Sequence, residues 1–309
     1  MSTSRRTFLQ TSALAATGAA LARAQAPSPV EPVPLDRQPV AIFSKHLQWL
    51  DYEAAAMAAK EAGFDALDIP VRPKGHVLPE RVKEDLPRAV DAAKAAGLDV
   101  TMITTAITGV DDPHAETVLK TAAELGIGHY RLGYVRLDDG VRPTLEATLP
   151  RWQELAALNE SLGIHGGYQN HSGVNLGAAI WDLFLLLEEV DSPWLGCQYD
   201  IRHGVVEGAF SWVRDLEVMA PYIDTLVAKD FAWVPRDEGL RVLNVPFGEG
   251  LVPLGKYVGE LRRLGVSAPF SMHFEYPHPE TGRRDWAVES FGRDRAALRA
   301  ALAPGAGVT

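Results

Sequence analysis

The 309-residue chain predicts one closed barrel of eight parallel strands alternating with helices, a single (β/α)8 fold, on three observations. First, a helix-like segment that ends in Gly and runs at once into an apolar strand-like stretch recurs five times. The instances are Lys60-Glu61-Ala62-Gly63-Phe64, Lys94-Ala95-Ala96-Gly97-Leu98, Glu124-Leu125-Gly126-Ile127, Ser161-Leu162-Gly163-Ile164 and Arg263-Leu264-Gly265-Val266. Glycine just past a helix takes the left-handed cap that other residues adopt at a cost, so each instance marks a helix feeding a strand. Second, eight candidate strands begin near Val40, Phe64, Val100, His129, Ile164, Leu195, Ile223 and Pro269, each followed by a helical pattern. Eight such units are what closure needs. Third, the first strand is followed by Ser44-Lys45-His46-Leu47, where an open doubly wound sheet carries a Gly-rich phosphate loop.

The helices show one apolar side each: Ile180, Leu183, Phe184 and Leu187 fall at i, i+3, i+4 and i+7, as do Leu254, Tyr257, Val258 and Leu261. An apolar fraction of 47% and a charged fraction of 23% suit a globular domain with a sizeable core. The barrel is assigned to residues 40–303 and no second domain is visible. Before it, residues 25–39 hold Pro27, Pro29, Pro32 and Pro34 and read as an extended tether. Residues 1–24 resemble a twin-arginine export signal: Arg5-Arg6, an Ala-rich apolar stretch from Ser12 to Leu21 too weak to span a bilayer, and small residues at Ala22 and Ala24. Cleavage after Ala24 and a periplasmic or secreted product are the expectation.

The formal charge is −10, and −13 without the leader's Arg5, Arg6 and Arg23, so nucleic acid is not an expected partner. No membrane span is expected, and a homo-oligomer stays open. Cys197 is the single cysteine and no intramolecular disulfide can form. It lies three residues before Asp200 in a strand-like run, which favours buried packing over nucleophilic chemistry.

Catalytic groups of such barrels come from the C-terminal ends of several strands, where the loops converge. The fifth strand ends Tyr168-Gln169-Asn170-His171-Ser172-Gly173, the sixth Gln198-Tyr199-Asp200-Ile201-Arg202-His203-Gly204, the seventh Val227-Ala228-Lys229-Asp230-Phe231 and the eighth His273-Phe274-Glu275-Tyr276. An apolar core would not choose these groups. Trp49, Trp212 and Trp233 lie just past strands one, six and seven, where their faces could stack on sugar rings. The stretch Phe231–Gly250 is expected to cover the mouth as a loop. A plainer arrangement would have Asp200 and Glu275 paired with Arg202 or Lys229 in structural ion pairs, His171 bracing a loop and His165 held in the core.

From about Val40 to Tyr276 these motifs resemble the xylose isomerase-like TIM barrels: Asn-His on strand five, Asp-x-x-His on strand six, Lys-Asp on strand seven, Glu closing strand eight. The resemblance implies a small carbohydrate substrate and one divalent ion (Mn, Co, Zn or Mg), held by Glu, Asp, His and Glu on strands five to eight. Asp200 and Glu275 match the second and fourth ligands. Gln169 stands at the first, where an amide oxygen can still ligate, and Val227 stands at the third, where it cannot. Proton transfer next to a sugar carbonyl is then implied. His203 or His171 would be the base, Lys229 would stabilise the oxyanion, and Trp49, Asn170, Trp233 and His273 would contact the sugar. A 3-keto-glycoside lyase sharing the enediolate step, and a carbohydrate-binding barrel without catalysis, are the alternatives.

Overall fold

In the computed structural model, which describes residues 33–237, 239–279 and 283–306, the barrel closes. Ten strands run in chain order: β1 (Val40–Phe43), β2 (Ala66–Val71), β3 (Asp99–Thr105), β4 (His129–Arg131), β5 (His165–Gln169), β6 (Leu195–Asp200), β7 (Ile223–Ala228), β8 (Asp230–Arg236), β9 (Gly239–Val245) and β10 (Phe270–Met272). β1 to β7 and β10 form the parallel barrel, which β10 completes by pairing with β1 through Val40–Phe270, Ala41–Ser271 and Ile42–Met272. The glycines expected to end helices do so with left-handed backbone, from Gly63 (φ 86°) to Gly265 (φ 68°).

The helices are α1 (Tyr52–Glu61), α2 (Val82–Ala95), α3 (Ala115–Glu124), α4 (Val141–Leu162), α5 (Trp181–Val190), α6 (Ile201–Gly208), α7 (Trp212–Met219), α8 (Leu254–Arg263) and α9 (Arg283–Leu302). Their apolar stripes face the strands: Leu183 and Leu187 of α5 and Tyr257, Val258 and Leu261 of α8 are buried. Strands covered on both sides have no wet face, so β1 and β2 are buried at every residue. Cys197 is likewise fully buried, and burial pushes its thiol well above the usual range, as packing without reactivity requires.

One element departs from the expected alternation. The stretch after β7 is a regular antiparallel hairpin, β8 paired with β9 from Asp230–Val245 to Arg236–Gly239, and α8 follows only after it. Residues 1–32, hence the twin-arginine-like leader and most of the tether, lie outside the described residues. The tether's last part packs on the barrel: Leu35 is buried, and Gln38 Nε2 donates to Val33 O and Ser267 Oγ, both at 3.1 Å. Among the described residues no helix is long and apolar enough to cross a membrane.

Candidate active site at the barrel mouth

Three charged side chains from consecutive barrel strands meet at the C-terminal mouth. Lys229, one residue past β7, places Nζ 3.1 Å from Asp200 Oδ2 at the end of β6 and 3.4 Å from Glu275 Oε2 beyond β10. Lys229 is 3% exposed and Asp200 fully buried, so water screens this cluster little. Burial raises the Glu275 carboxyl, but Lys229, Lys45 and His46 outweigh that and hold it at about 2. The other Asp200 oxygen caps α6, accepting from the backbone N–H of Arg202 (3.0 Å) and His203 (3.3 Å). The ion-pair arrangement of Asp200 and Glu275 with Lys229 is therefore the one adopted.

Gln169, the last residue of β5, donates from Nε2 to Asp200 Oδ2 at 2.7 Å. Its oxygen accepts from Arg131 Nη1 (3.0 Å) and Tyr134 Oη (2.6 Å). A guanidinium can only donate, so Arg131 fixes which end of the amide faces Asp200. As arranged, the expected ligands Gln169, Asp200 and Glu275 do not fit a divalent cation. The ammonium of Lys229 fills the gap between the two carboxylates, the Gln169 oxygen points at Arg131, and Val227 at the third ligand position is buried and has no donor atom. Among the described residues no group of three or more His, Cys, Asp and Glu side chains stands together to hold a metal.

The two histidine rings lie 4.1 Å apart by centroid, tilted by 40°, but present opposite sides of imidazole chemistry. His203 Nδ1 lies 3.1 Å from Ser172 N, 2.8 Å from Ser172 Oγ and 2.8 Å from Arg202 Nη1. Two of these can only donate, so Nδ1 is the acceptor and the proton of the neutral ring sits on Nε2, which is buried and 3.6 Å from Asp200 Oδ2. His203 is therefore an N–H donor at Nε2, beside Asp200, and the expected basic role does not suit it. His171 Nδ1 lies 2.8 Å from the carbonyl of Ser172 and must donate there, which leaves an Nε2 lone pair. Burial and the charge of Lys229 lower the pKa of both rings, keeping them neutral at pH 7.

Asn170 corrects another expectation. The residue is 2% exposed and its amide bonds the Asp200 backbone at both ends, donating to the carbonyl at 3.1 Å and accepting from the N–H at 2.7 Å. It extends the β5–β6 ladder by one step and positions Asp200; no group is left for a sugar. His273 is 4% exposed, packs on Phe43 at 4.6 Å and has no partner for Nε2 among the described residues. Trp49 (38% exposed) and Trp233 (42% exposed) are open rings, Trp49 under Arg283 and Trp233 on β8. Trp212 is instead buried in α7 against Tyr257, outside the mouth.

Sequence reasoning confined to strands five to eight missed the other half of the rim. Lys45 follows β1, Asp68 lies within β2, Arg72 follows β2, and Arg131 ends β4 with 4% exposure. Asp68 is fully buried and accepts from Thr104 Oγ1 (2.9 Å) and Ser271 Oγ (2.7 Å); burial raises it to about 6. The same strand-end rule applied to strands one, two and four would have found Lys45, Arg72 and Arg131, but not Asp68, which lies inside β2.

A family model described as "Xylose isomerase-like TIM barrel" matches residues 56–297, and the chain belongs to that family. No curated protein matches the chain significantly. Among solved structures it is similar to the probable 3-DHS dehydratase of petrobactin synthesis from Bacillus anthracis (16% identity, 84% of this chain and 98% of that one, TM-score 0.65). It is also similar to 3-keto-D-glucoside 4-epimerase from E. coli (12%, 85% and 99%, TM-score 0.65). A third is a xylose isomerase-like TIM barrel protein from Mycobacterium smegmatis in complex with magnesium (16%, 88% and 100%, TM-score 0.63). At these identities the likeness is one of fold.

Proposed function

We propose that the chain is an enzyme that moves a proton next to the carbonyl of a small carbohydrate, giving isomerisation or epimerisation. One observation carries this reading: a buried ammonium, Lys229, stands beside an N–H donor, His203, and a neutral imidazole with a free lone pair, His171. A carbonyl oxygen placed between Lys229 Nζ and His203 Nε2 would meet two donors as its charge develops, in a site where water competes little. Removing one donor from such a pair typically costs on the order of 100-fold in rate. His171 Nε2 takes the proton from the adjacent carbon and returns it on the same face to the neighbouring carbon, which isomerises the sugar; epimerisation needs the new proton to come from solvent or another acid on the opposite face. Asp200 and Glu275 hold Lys229 in place. The leader-like N-terminus makes the periplasm or the exterior the compartment of this proposal, and the epimerase among the structural relatives supports a sugar as substrate.

The test is solvent exchange at carbon. Candidate keto-sugars and 3-keto-glycosides are incubated with the protein in D2O and followed by NMR. Deuterium beside the carbonyl with an isomer or epimer as product supports the proposal, and loss of exchange in His171→Ala supports the base assignment. Release of aglycone instead would make the protein a lyase. Saturable binding with no exchange on any substrate would make it a carbohydrate-binding barrel.

A further inference from the structure

The first half of the rim carries cations that form no ion pair among the described residues, although Glu275 lies close enough to Lys45 for each to feel the other's charge. Arg131 is 96% removed from solvent; its Nη1 bonds only to the neutral Gln169 and Tyr134, and its Nε has no partner. The Arg72 guanidinium makes no hydrogen bond or ion pair among the described residues and lies over the ring of Phe43 at 5.5 Å. Lys45 likewise ends on no acceptor. Elsewhere arginines find carboxylates even on the surface: Arg81 on Asp85, Arg136 on Asp138, Arg151 on Asp111, Arg284 on Glu61, Arg295 and Arg299 on Asp65. In a chain of net charge −10, three unmatched cations on one side of one opening are an anomaly.

The nearby carboxylates do not resolve it. Asp200 and Glu275 are engaged by Lys229, and Asp68 is engaged by two hydroxyls. Burial lowers the pKa of Lys45 and Arg72, and neighbouring cations lower it further; Glu275 and, for Arg72, Asp68 offset only part of this, so an entering anion would be favoured.

We infer that the carbohydrate taken at this mouth is a sugar acid, its carboxylate held by Arg72, Arg131 and Lys45 on the β1–β4 side while its carbonyl faces Lys229. The inference rests on the proposed function and names its substrate class. A carboxylate suits the planar fork of a guanidinium, which binds two oxygens at once. A phosphate is disfavoured by the opposite rim. In (β/α)8 barrels phosphates frequently bind at the loops after the last two strands. Here the amides of Phe231, Gly248, Gly250 and Val252 all donate to the protein's own Asp230 carboxylate, at 2.8 to 3.1 Å. That cradle is filled from within.

Binding calorimetry on the full barrel tests this without turnover, using matched sets of neutral aldoses, their uronic and aldonic acids and their phosphate monoesters. At least one acid is expected to bind ten-fold or more tighter than its neutral parent, with an affinity that falls as salt rises. Arg72→Gln should abolish the preference and Arg72→Lys restore part of it, while circular dichroism shows both variants folded. Acids binding no tighter than neutral parents, phosphate esters binding tightest, or Arg72→Gln leaving the preference intact would each overturn the inference. Acid preference without carbon exchange would defeat only the proposed reaction; exchange on neutral sugars without acid preference would defeat only this substrate class.

Discussion

At the scale of single residues, the position of Lys229 is decisive, because one ammonium serves two carboxylates. Lys229→Met leaves the buried Asp200 without its ammonium and facing Glu275, and breaking a buried pair from one side costs about 3–5 kcal/mol. The same change removes the positive charge that repels a divalent ion. After loading with manganese, the wild-type barrel is therefore expected to carry no stoichiometric metal by mass spectrometry, and Lys229→Met is expected to gain affinity for it. One ion per wild-type chain, lost in Asp200→Ala and Glu275→Ala, would refute the ammonium-for-metal reading. The histidines make a second prediction: His203→Gln, which keeps an N–H donor, should retain more carbon exchange in D2O than His171→Gln, which removes the lone pair. Equal loss in both would erase the distinction. The identities of His171, His203, Asp200, Lys229 and Glu275 were legible from their strand-end positions. Their roles were not, because a histidine tautomer is set by neighbours such as Ser172 and Arg202 whose side-chain directions no spacing encodes.

At the scale of elements, the alternation of strand and helix was legible because Gly caps and 3.6-residue stripes are local signals. Val40, His129, Leu195 and Ile223 begin strands as read, and the other starts differ by one or two residues. The hairpin β8–β9 was not legible: its residues are mostly exposed or half-buried, so burial leaves no clear alternation in the sequence. Its place is set instead by polar anchors. Arg202 Nη2 donates to Asn244 Oδ1 at 2.8 Å, tying β9 to the start of α6, and Asp230 gathers the amides that return the chain from the hairpin. Asp230→Ala orphans those amides and is expected to cost about 3 kcal/mol or more in urea unfolding, with Asp230→Asn in between. Gly250→Ala should match it, since an added Cβ would lie 2.3 Å from Asp230 Oδ1 and 2.4 Å from Phe231 O. A cost under about 1 kcal/mol for either change would mean the hairpin is held by something else.

For the whole molecule, closing a barrel buries polar groups at both ends, and the histidines among them make folding sensitive to acid. At the mouth, burial is the main cause holding His46 at about 3 and His203 and His273 well below the usual range. At the opposite end, burial and then the neighbouring His165 hold His129 at about 4. In the unfolded chain each ring takes up a proton near 6.5, so the unfolded state binds more protons below that pH. A depressed folded pKa contributes stability that is present above 6.5 and is lost as pH falls toward the folded value. Asp68, raised to about 6, acts in the opposite sense: its contribution grows as pH falls from 6 toward 3.8. The balance is therefore best tested one ring at a time, and His129 is the ring to use because it lies away from the mouth chemistry. His129→Gln removes its titration while keeping a polar side chain. Each pH unit inside the window is worth about 1.4 kcal/mol per group, so moving from pH 7 to pH 5 should cost the wild type about 2 kcal/mol more than the variant. Urea unfolding at the two values, followed by circular dichroism, measures that difference. A gap between wild type and variant that stays constant over this range would mean that His129 titrates in the folded barrel as it does in the unfolded chain, so that burial does not depress it.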